Sequence, residues 1–253
     1  MEHGRAEYHK DTARMHSILR ASPPLRESAS HLRTITLRFR AGQLIFDEGQ
    51  RANRWFEVVH GTVRTCRFHM DGNRHLTGFF FCGDVFGAAH GNYGTAAEAV
   101  TDVELRCFRV GDITQEHTPR PQLDEAVSIL LRAMSTAQRY QFIIGRRTAA
   151  EKLAAFLLCL RQQANAGGTR ITIPMSRGDI ADFLGLTVHT VSRTFSELAR
   201  RGLIEIDGRN SIVATDPTGL CCLAQDYTHD LATDNGAVPR PTEHCGLGRL
   251  SAA

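Results

Sequence analysis

Short alternating runs of apolar and polar residues fill the first half of the chain. Thr34 to Phe39 alternates with a period of two, as a half-buried strand does. Glycine-containing turns recur about every ten residues, and the pair Asp71-Gly72 separates two apolar runs in the pattern of a β-hairpin. This spacing predicts an antiparallel β-barrel or sandwich over residues 31–118.

Beyond Pro121 the apolar period becomes helical. Seven positions at alternating spacings of four and three residues run through this segment, and six of the seven are apolar. We call them the heptad stripe: Leu123, Val127, Leu130, Met134, Ala137, Gln141 and Ile144. Heptads of this kind predict a helix over residues 119–146 that packs against a partner helix in a homodimer. A single amphipathic helix lying on its own domain is the alternative.

Two short helices joined by a turn are predicted in the last third of the chain. Ser176 and Asp179 have the spacing of a capping pair that begins a helix. Gly185 permits the left-handed backbone that ends it, and Thr187 caps a second helix over residues 188–200. The apolar positions of this second helix keep helical spacing and leave polar residues on its other faces.

A two-stranded wing follows in residues 203–213, with a turn at Asp207-Gly208. Two helices joined through a glycine turn are typical of the helix-turn-helix, whose second helix enters the DNA major groove. A wing after the helices makes the pattern more specific, so DNA binding is predicted for residues 147–220. A purely structural three-helix bundle is the alternative. Residues 1–30 are polar and predict a flexible arm, and residues 221–253 form a C-terminal tail.

These segments resemble the CRP/FNR family of bacterial transcription factors. The stretch Gly178-Asp-Ile-Ala-Asp-Phe-Leu-Gly-Leu-Thr-Val-His-Thr-Val-Ser-Arg193 is most similar to the FNR and FixK branches, and Gly83-Asp-Val-Phe-Gly87 resembles a barrel motif of the same branch. The resemblance extends over residues 32–220. It implies an α+β fold with an N-terminal cyclic-nucleotide-binding-type β-barrel (jelly roll), a long dimerisation helix and a C-terminal winged helix-turn-helix.

The resemblance also implies roles in DNA binding. The base-reading positions of the FNR branch fall at His189, Ser192 and Arg193. Arginine suits a bidentate contact with guanine, and serine can bond a base edge or touch a thymine methyl. His189 departs from the branch, where glutamate is usual, so we expect a half-site that differs from the usual TTGAT-like sequence or is read more loosely. A phosphate contact or a solvated His189 is the alternative.

Five other residues are expected to contact the DNA backbone: Ser176, Arg177, Thr187, Thr190 and, in the wing, Arg209. The implied function is a regulator that binds a palindromic site in double-stranded DNA as a homodimer and acts with RNA polymerase. The resemblance implies that the regulator controls genes for anaerobic or microaerobic metabolism or genes related to nitrogen oxides.

Composition narrows these expectations. The chain has 253 residues, 42% of them hydrophobic, and a net charge of +3. Its apolar runs are shorter than the roughly 18 residues of a membrane span, and its N-terminus begins no apolar signal segment, so we expect a cytoplasmic protein with no membrane partner. All but two of the 30 basic residues are arginine, for which genomic base composition is the simpler explanation.

The cysteines argue against a metal cofactor. All seven lie beyond residue 65, and none forms a Cys-x-x-Cys pair. Oxygen-sensing FNR members hold a [4Fe–4S] cluster with several N-terminal cysteines and one in the barrel, but only Cys107 falls near such a position here, so no cluster is expected. Residues 86–97 lack the Gly-Glu-Leu turn and the Arg-Ser pair of the family's cyclic-nucleotide pocket. We therefore expect no cofactor and no metal.

An alternative within the same fold is a sensor whose DNA binding depends on haem or another small molecule in the barrel. His60, His69, His75 and His90 offer possible axial ligands. An enzyme is not expected, because the chain carries no nucleophile elbow, P-loop, dinucleotide-binding glycine motif or metal-binding His/Glu pair. The remaining pattern is that of FixK-like members, which lack a recognisable cofactor motif.

Overall fold

The predicted β-barrel is present in the computed structural model, which describes residues 32–68, 74–112, 118–163, 169–208 and 210–224. Its strands are β1 (Thr34–Phe39), β2 (Leu44–Phe46), β3 (Arg54–His60), β4 (Val63–Phe68), β5 (Arg74–Phe80), β6 (Val85–Phe86), β7 (Ala96–Ala99) and β8 (Val103–Arg109). β1 covers the segment whose period-two alternation predicted a strand, so that prediction is confirmed.

The barrel strands form two antiparallel sheets. One has the order β1-β8-β3-β6 and the other has the order β2-β7-β4-β5. β4 pairs with β5 from Val63 opposite Phe80 to Phe68 opposite Arg74, which confirms the predicted hairpin pairing. The Asp71-Gly72 turn itself lies outside the described residues. The predicted fold class is thereby confirmed for the N-terminal part of the chain.

Aromatic side chains fill the space between the two sheets. The Phe46 ring stacks on the Tyr93 ring with 3.8 Å between their centroids, and the rings of Phe56 and Phe86 lie 5.3 Å apart. Gly87 has a φ of +76°, and a Cβ atom there would lie 3.1 Å from the Phe46 ring and 3.2 Å from the Phe56 ring. Glycine at this position therefore lets the chain pass close to the packed rings.

Two helices follow the barrel, α1 (Arg120–Ile144) and α2 (Ala149–Gln163). The α1 helix confirms the helical period read from the heptad stripe. Its buried residues are Ala126, Ile129, Thr136, Tyr140 and Ile143, and they face the barrel and α2. No helix in the described ranges is long and apolar enough to cross a membrane.

Buried ion pairs attach α1 to the barrel. Glu57 on β3 accepts hydrogen bonds from Arg106 on β8 at 2.7 Å and from Arg132 on α1 at 3.0 Å. Asp84 accepts a 3.0 Å hydrogen bond from the Thr136 hydroxyl and lies 3.4 Å from Arg139. Burial raises the pKa of Asp84, and the Arg139 charge opposes that shift. These contacts fix the inner face of α1 in one position on the barrel.

The C-terminal part is a winged helix-turn-helix, as predicted. It comprises β9 (Arg170–Thr172), α3 (Arg177–Leu184), α4 (Val188–Arg200), β10 (Ile204–Ile206), β11 (Ser211–Ala214) and α5 (Pro217–Leu223). The predicted pairing of the two wing strands, β10 with β11, is confirmed, and the sheet order β10-β11-β9 adds a third strand that the sequence pattern missed. β9 precedes both helices in the chain and reaches β11 only through tertiary contact, with Ile171 opposite Ile212.

Candidate nucleic-acid interface

The first helix of the motif, α3, begins at the predicted capping box. The Ser176 hydroxyl accepts a 3.0 Å hydrogen bond from the Asp179 backbone amide, and the Asp179 carboxylate accepts hydrogen bonds from the Ser176 amide at 3.2 Å and from its hydroxyl at 2.8 Å. Gly185 ends the helix with φ 64° and ψ 45°, the left-handed conformation that was expected of this glycine. Both predictions are confirmed, and they set the sharp turn into α4.

The second helix, α4, begins at Thr187. The Thr187 hydroxyl accepts a 3.1 Å hydrogen bond from the Thr190 amide, and the two hydroxyl oxygens are 2.8 Å apart. Val191, Thr194, Phe195 and Leu198 make up its buried side. The predicted cap and the predicted range of this helix are therefore both confirmed.

The three predicted base-reading residues lie together on the exposed side of α4. His189, Ser192 and Arg193 are all exposed, and their spacings of three and four residues place them on one face of the helix. They occupy its N-terminal half, which is the end that a recognition helix directs at base edges. Their side chains can donate and accept hydrogen bonds and carry a permanent positive charge at Arg193.

Val188 is a member of this surface that the sequence pattern missed. Its spacing to Val191 and Phe195 grouped it with the apolar positions of α4, yet its side chain is 50% exposed. Val188 is the first residue of the helix, and half of its surface is open to solvent there. An exposed branched apolar side chain beside His189 can contact a thymine methyl group.

The expected backbone-contacting residues lie at two helix N-termini. Ser176 and Arg177 begin α3, whereas Thr187 and Thr190 begin α4, and amide groups at such termini favour phosphate. The Arg177 guanidinium stacks on the Phe195 ring, 3.1 Å from its centroid. Burial lowers the pKa of Arg177. Arg209, the fifth residue of this group, lies outside the described residues.

The heptad stripe forms the exposed side of α1. All seven of its residues are exposed in the single chain. The exposed apolar surface is wider than the stripe, because Leu131 and Phe142 are also 57% and 43% exposed. These two residues fall outside the alternating spacing of four and three, so the heptad stripe does not include them. Arg146 lies over the Phe142 ring at 3.4 Å.

The histidines considered as haem ligands lie outside the aromatic interior. His60 at the end of β3, His75 on β5 and His90 after β6 all have exposed side chains. His69 lies outside the described residues. Cys107 is buried in the barrel, and this burial raises the pKa of its thiol. The structure thus places the three described histidines on separate surface segments rather than at one site.

Two known protein families match the two halves of the chain. Residues 36–117 match the family described as "Cyclic nucleotide-binding domain". Residues 151–223 match the family described as "Crp-like helix-turn-helix domain". The two matches cover the barrel and the winged helix-turn-helix, including α5.

Curated relatives and a solved structure resemble the chain over both halves. "Nitrogen fixation regulation protein FixK" of Rhizobium meliloti is 37% identical over 185 residues, covering 72% of this chain and 83% of the relative. "Transcriptional activatory protein AadR" of Rhodopseudomonas palustris is 37% identical over 175 residues, covering 67% and 73%. The structure of FixK2 from Bradyrhizobium japonicum matches with a TM-score of 0.69 and 30% identity, covering 76% of this chain and 98% of that one.

Proposed function

Because this chain belongs to the CRP/FNR family and is a DNA-binding transcription regulator of that type, we propose that it recognises a palindromic promoter site in double-stranded DNA as a homodimer. The observation that carries the proposal is the exposed face of α4, where His189, Ser192 and Arg193 lie together at the N-terminal end. Two such faces in a symmetric dimer would read the two halves of a palindrome.

Each residue of this face has a role that its chemistry supports. Arg193 pairs with the O6 and N7 atoms of a guanine, and Ser192 bonds a base edge or contacts a thymine methyl. Val188 adds an apolar contact to a thymine methyl. His189 can donate or accept a hydrogen bond, and we propose that it changes the half-site preferred by FNR-branch proteins. Ser176, Arg177, Thr187, Thr190 and Arg209 contact phosphates and set the register.

The exposed side of α1 supports the homodimer. Isolated exposed apolar residues are ordinary on protein surfaces, but a stripe with six apolar residues in seven along a helix of 25 residues is typical of a helix pair. The residues of the heptad stripe would pack around the two-fold axis. Leu131 and Phe142 would widen the contact on one flank of it.

A selection of bound sites from random DNA tests the proposal. We expect the selected sites to be palindromes with two half-sites about one helical turn apart. A selection that returned single, unrepeated half-sites would contradict binding as a homodimer. Running it with protein purified in air and without air would also show whether oxygen alters the preferred site.

We further propose that the protein works with RNA polymerase as an activator in the cytoplasm. The names of its relatives support this, since they include nitrogen fixation regulation proteins and a transcriptional activatory protein. Genes for anaerobic, microaerobic or nitrogen-oxide metabolism are the proposed targets. Transcription in vitro from a promoter carrying the selected site should rise when the protein is added, and a fall would identify a repressor instead.

We propose that DNA binding needs no molecule inside the barrel. The stacked rings of Phe46, Phe56, Phe86 and Tyr93 support this, because they occupy the space between the sheets. Protein purified from cells should bind its palindrome without an absorbance band in the Soret region. A Soret band whose removal abolished DNA binding would favour the haem-dependent alternative.

A further inference from the structure

Two arginines of the barrel bind the first helix of the DNA-binding motif. Arg64 on β4 donates to the Asp179 carboxylate on α3 at 2.9 Å. Arg74 on β5 donates to Asp179 at 2.7 Å and to Asp182, also on α3, at 3.0 Å. We call this set the arginine clamp, comprising Arg64, Arg74, Asp179 and Asp182. It joins residues more than 100 positions apart in the chain.

The barrel itself holds Arg64, one of the two arginines of the clamp, in place. Arg64 donates from Nε and Nη2 to the Glu98 carboxylate on β7, at 2.9 and 2.7 Å. Only its remaining terminal nitrogen reaches across to Asp179. A guanidinium fixed in this way loses little conformational freedom when it binds a second carboxylate. Arg64 is therefore oriented toward α3 before the contact forms.

Asp179 occupies the centre of the clamp and is almost fully buried. Its side chain is 6% exposed, and it also forms the capping box with Ser176. Burial by itself would raise the pKa of Asp179, but the Ser176 hydrogen bonds and the charges of Arg64 and Arg74 outweigh it and lower the pKa. A buried carboxylate is strongly destabilised when its cationic partners are removed.

An aromatic contact lies on the same side of α3. The Phe183 ring is 5.4 Å from Phe79 of β5 and 5.1 Å from Tyr140 of α1, in edge-to-face arrangements. Burial of these rings favours docking of α3 on the barrel, but apolar burial has little directional preference. The ion pairs of the clamp are directional, so they can select one orientation among those that bury the same rings.

We propose that Arg64 and Arg74 are positioning residues for DNA binding. They fix the orientation of the helix-turn-helix on its own barrel without contacting the DNA. In a dimer joined along α1, a fixed orientation in each subunit sets the distance between the two recognition helices. The arginine clamp therefore determines which spacing of half-sites the protein accepts. This inference rests on the proposed homodimer on a palindrome.

A series of palindromes with different half-site spacings tests the clamp. A change of about three base pairs rotates one half-site by roughly 100° about the DNA axis, so a rigid dimer cannot engage both halves. We expect the full-length R64Q/R74Q variant to lose about tenfold or more of the wild-type preference for the best spacing. Discrimination between correct and scrambled half-sites should remain, because α4 is unchanged.

Two variants provide matched controls. Arg67 also lies on β4, but it is 60% exposed and pairs with Glu48 of the barrel rather than with α3, so R67Q should keep the wild-type spacing preference. R64K/R74K keeps both positive charges and should restore part of the spacing preference that R64Q/R74Q loses. If the loss came from poorer packing alone, restoring the charges would not restore the preference. If R64Q/R74Q does not fold, R74Q alone gives the same comparison. In R74Q the buried Asp179 carboxylate keeps Arg64 as its cationic partner, so the variant is less destabilised.

Two results would overturn the inference while leaving the proposed function intact. One is a wild-type spacing preference that R64Q/R74Q retains. The other is an equal loss of affinity at every spacing, which would mean that the arginines act through charge or stability rather than position. A wild-type protein with no spacing preference would instead overturn the proposed homodimer on a palindrome, and this inference with it.

Discussion

The helices α1 and α4 each bury one side in their own chain and expose the other, but their exposed sides differ in chemistry. The exposed side of α1 is apolar, with Val127 and Met134 more than half exposed. The exposed side of α4 is mainly polar and carries His189, Ser192 and Arg193, with the apolar Val188 beside them. The same kind of half-buried helix therefore presents two different surfaces.

This difference predicts two different partners. Water does not solvate an apolar stripe favourably, so the stripe gains free energy when a second apolar helix covers it. A polar helix face with a permanent guanidinium gains little from an apolar partner and fits the phosphates and base edges of DNA. The contrast therefore predicts protein–protein contact for α1 and DNA contact for α4.

The largest effect is expected from Met134→Asp on α1. Each subunit would place a carboxylate in the apolar contact, where an unpaired charge costs several kcal/mol, so the dimer should dissociate. Light scattering should give the mass of a single chain, and palindrome affinity should fall by about 100-fold or more, because the two half-sites are no longer linked.

Ser128→Asp is the matched control for this change. Ser128 is also an exposed residue of α1, but it lies away from the heptad stripe. A dimer mass that survived Met134→Asp would show that another surface joins the subunits.

A smaller effect is expected from Arg193→Ala on α4. Loss of a bidentate guanine contact should remove about 1–3 kcal/mol of discrimination between the selected palindrome and a scrambled one. Competition binding measures this directly, and the dimer mass should not change. Arg200→Ala, an exposed arginine at the other end of α4, should keep the discrimination. Equal losses in both variants would argue that arginine charge alone binds the DNA.

His189→Glu should change which base is preferred more than how tightly the site is bound. A carboxylate accepts a hydrogen bond from cytosine N4 or adenine N6. The affinity for the TTGAT-like half-site, relative to the half-site that the wild-type protein selects, should therefore rise by about tenfold. Site selection with the variant measures the shift. An unchanged profile would mean that His189 contacts only the DNA backbone.

The smallest effect is expected from Val188→Ala. Losing an apolar contact with a thymine methyl should cost about 0.5–1 kcal/mol of binding. Uracil lacks that methyl, so replacing the contacted thymine with uracil should weaken the wild-type protein and leave the variant unchanged. If both proteins respond alike to uracil, Val188 does not contact the methyl group.

Interactions between residues close together in the sequence were enough to predict most of the helix-turn-helix. The capping box at Ser176, the left-handed Gly185 and the cap at Thr187 each involve residues within a few positions of one another. Such interactions depend on the local chain and little else, so sequence spacing predicts them well. The pairing of β4 with β5 was predictable for the same reason, since only five residues of sequence separate the two strands.

Sequence spacing predicted burial and strand pairing less reliably where they depend on elements that are distant in the chain. Val188 has the periodicity of a buried residue, but its side chain is half exposed, whereas Val191 one turn further along α4 is fully buried. Leu131 and Phe142 lie outside the heptad spacing, yet the barrel leaves them exposed beside it. β9 joins the wing from before the two helices, so no local pattern connects it with β11.

The sequence by itself determined the order of the domains, the limits of the two motif helices and the polar residues that α4 exposes. It did so because periodicity and capping are local properties of a chain. Only the tertiary structure showed the aromatic filling of the barrel, the third strand of the wing and the arginine clamp. Those features bring together residues that are distant in the chain, such as Arg74 and Asp182, and their contact depends on how whole elements pack.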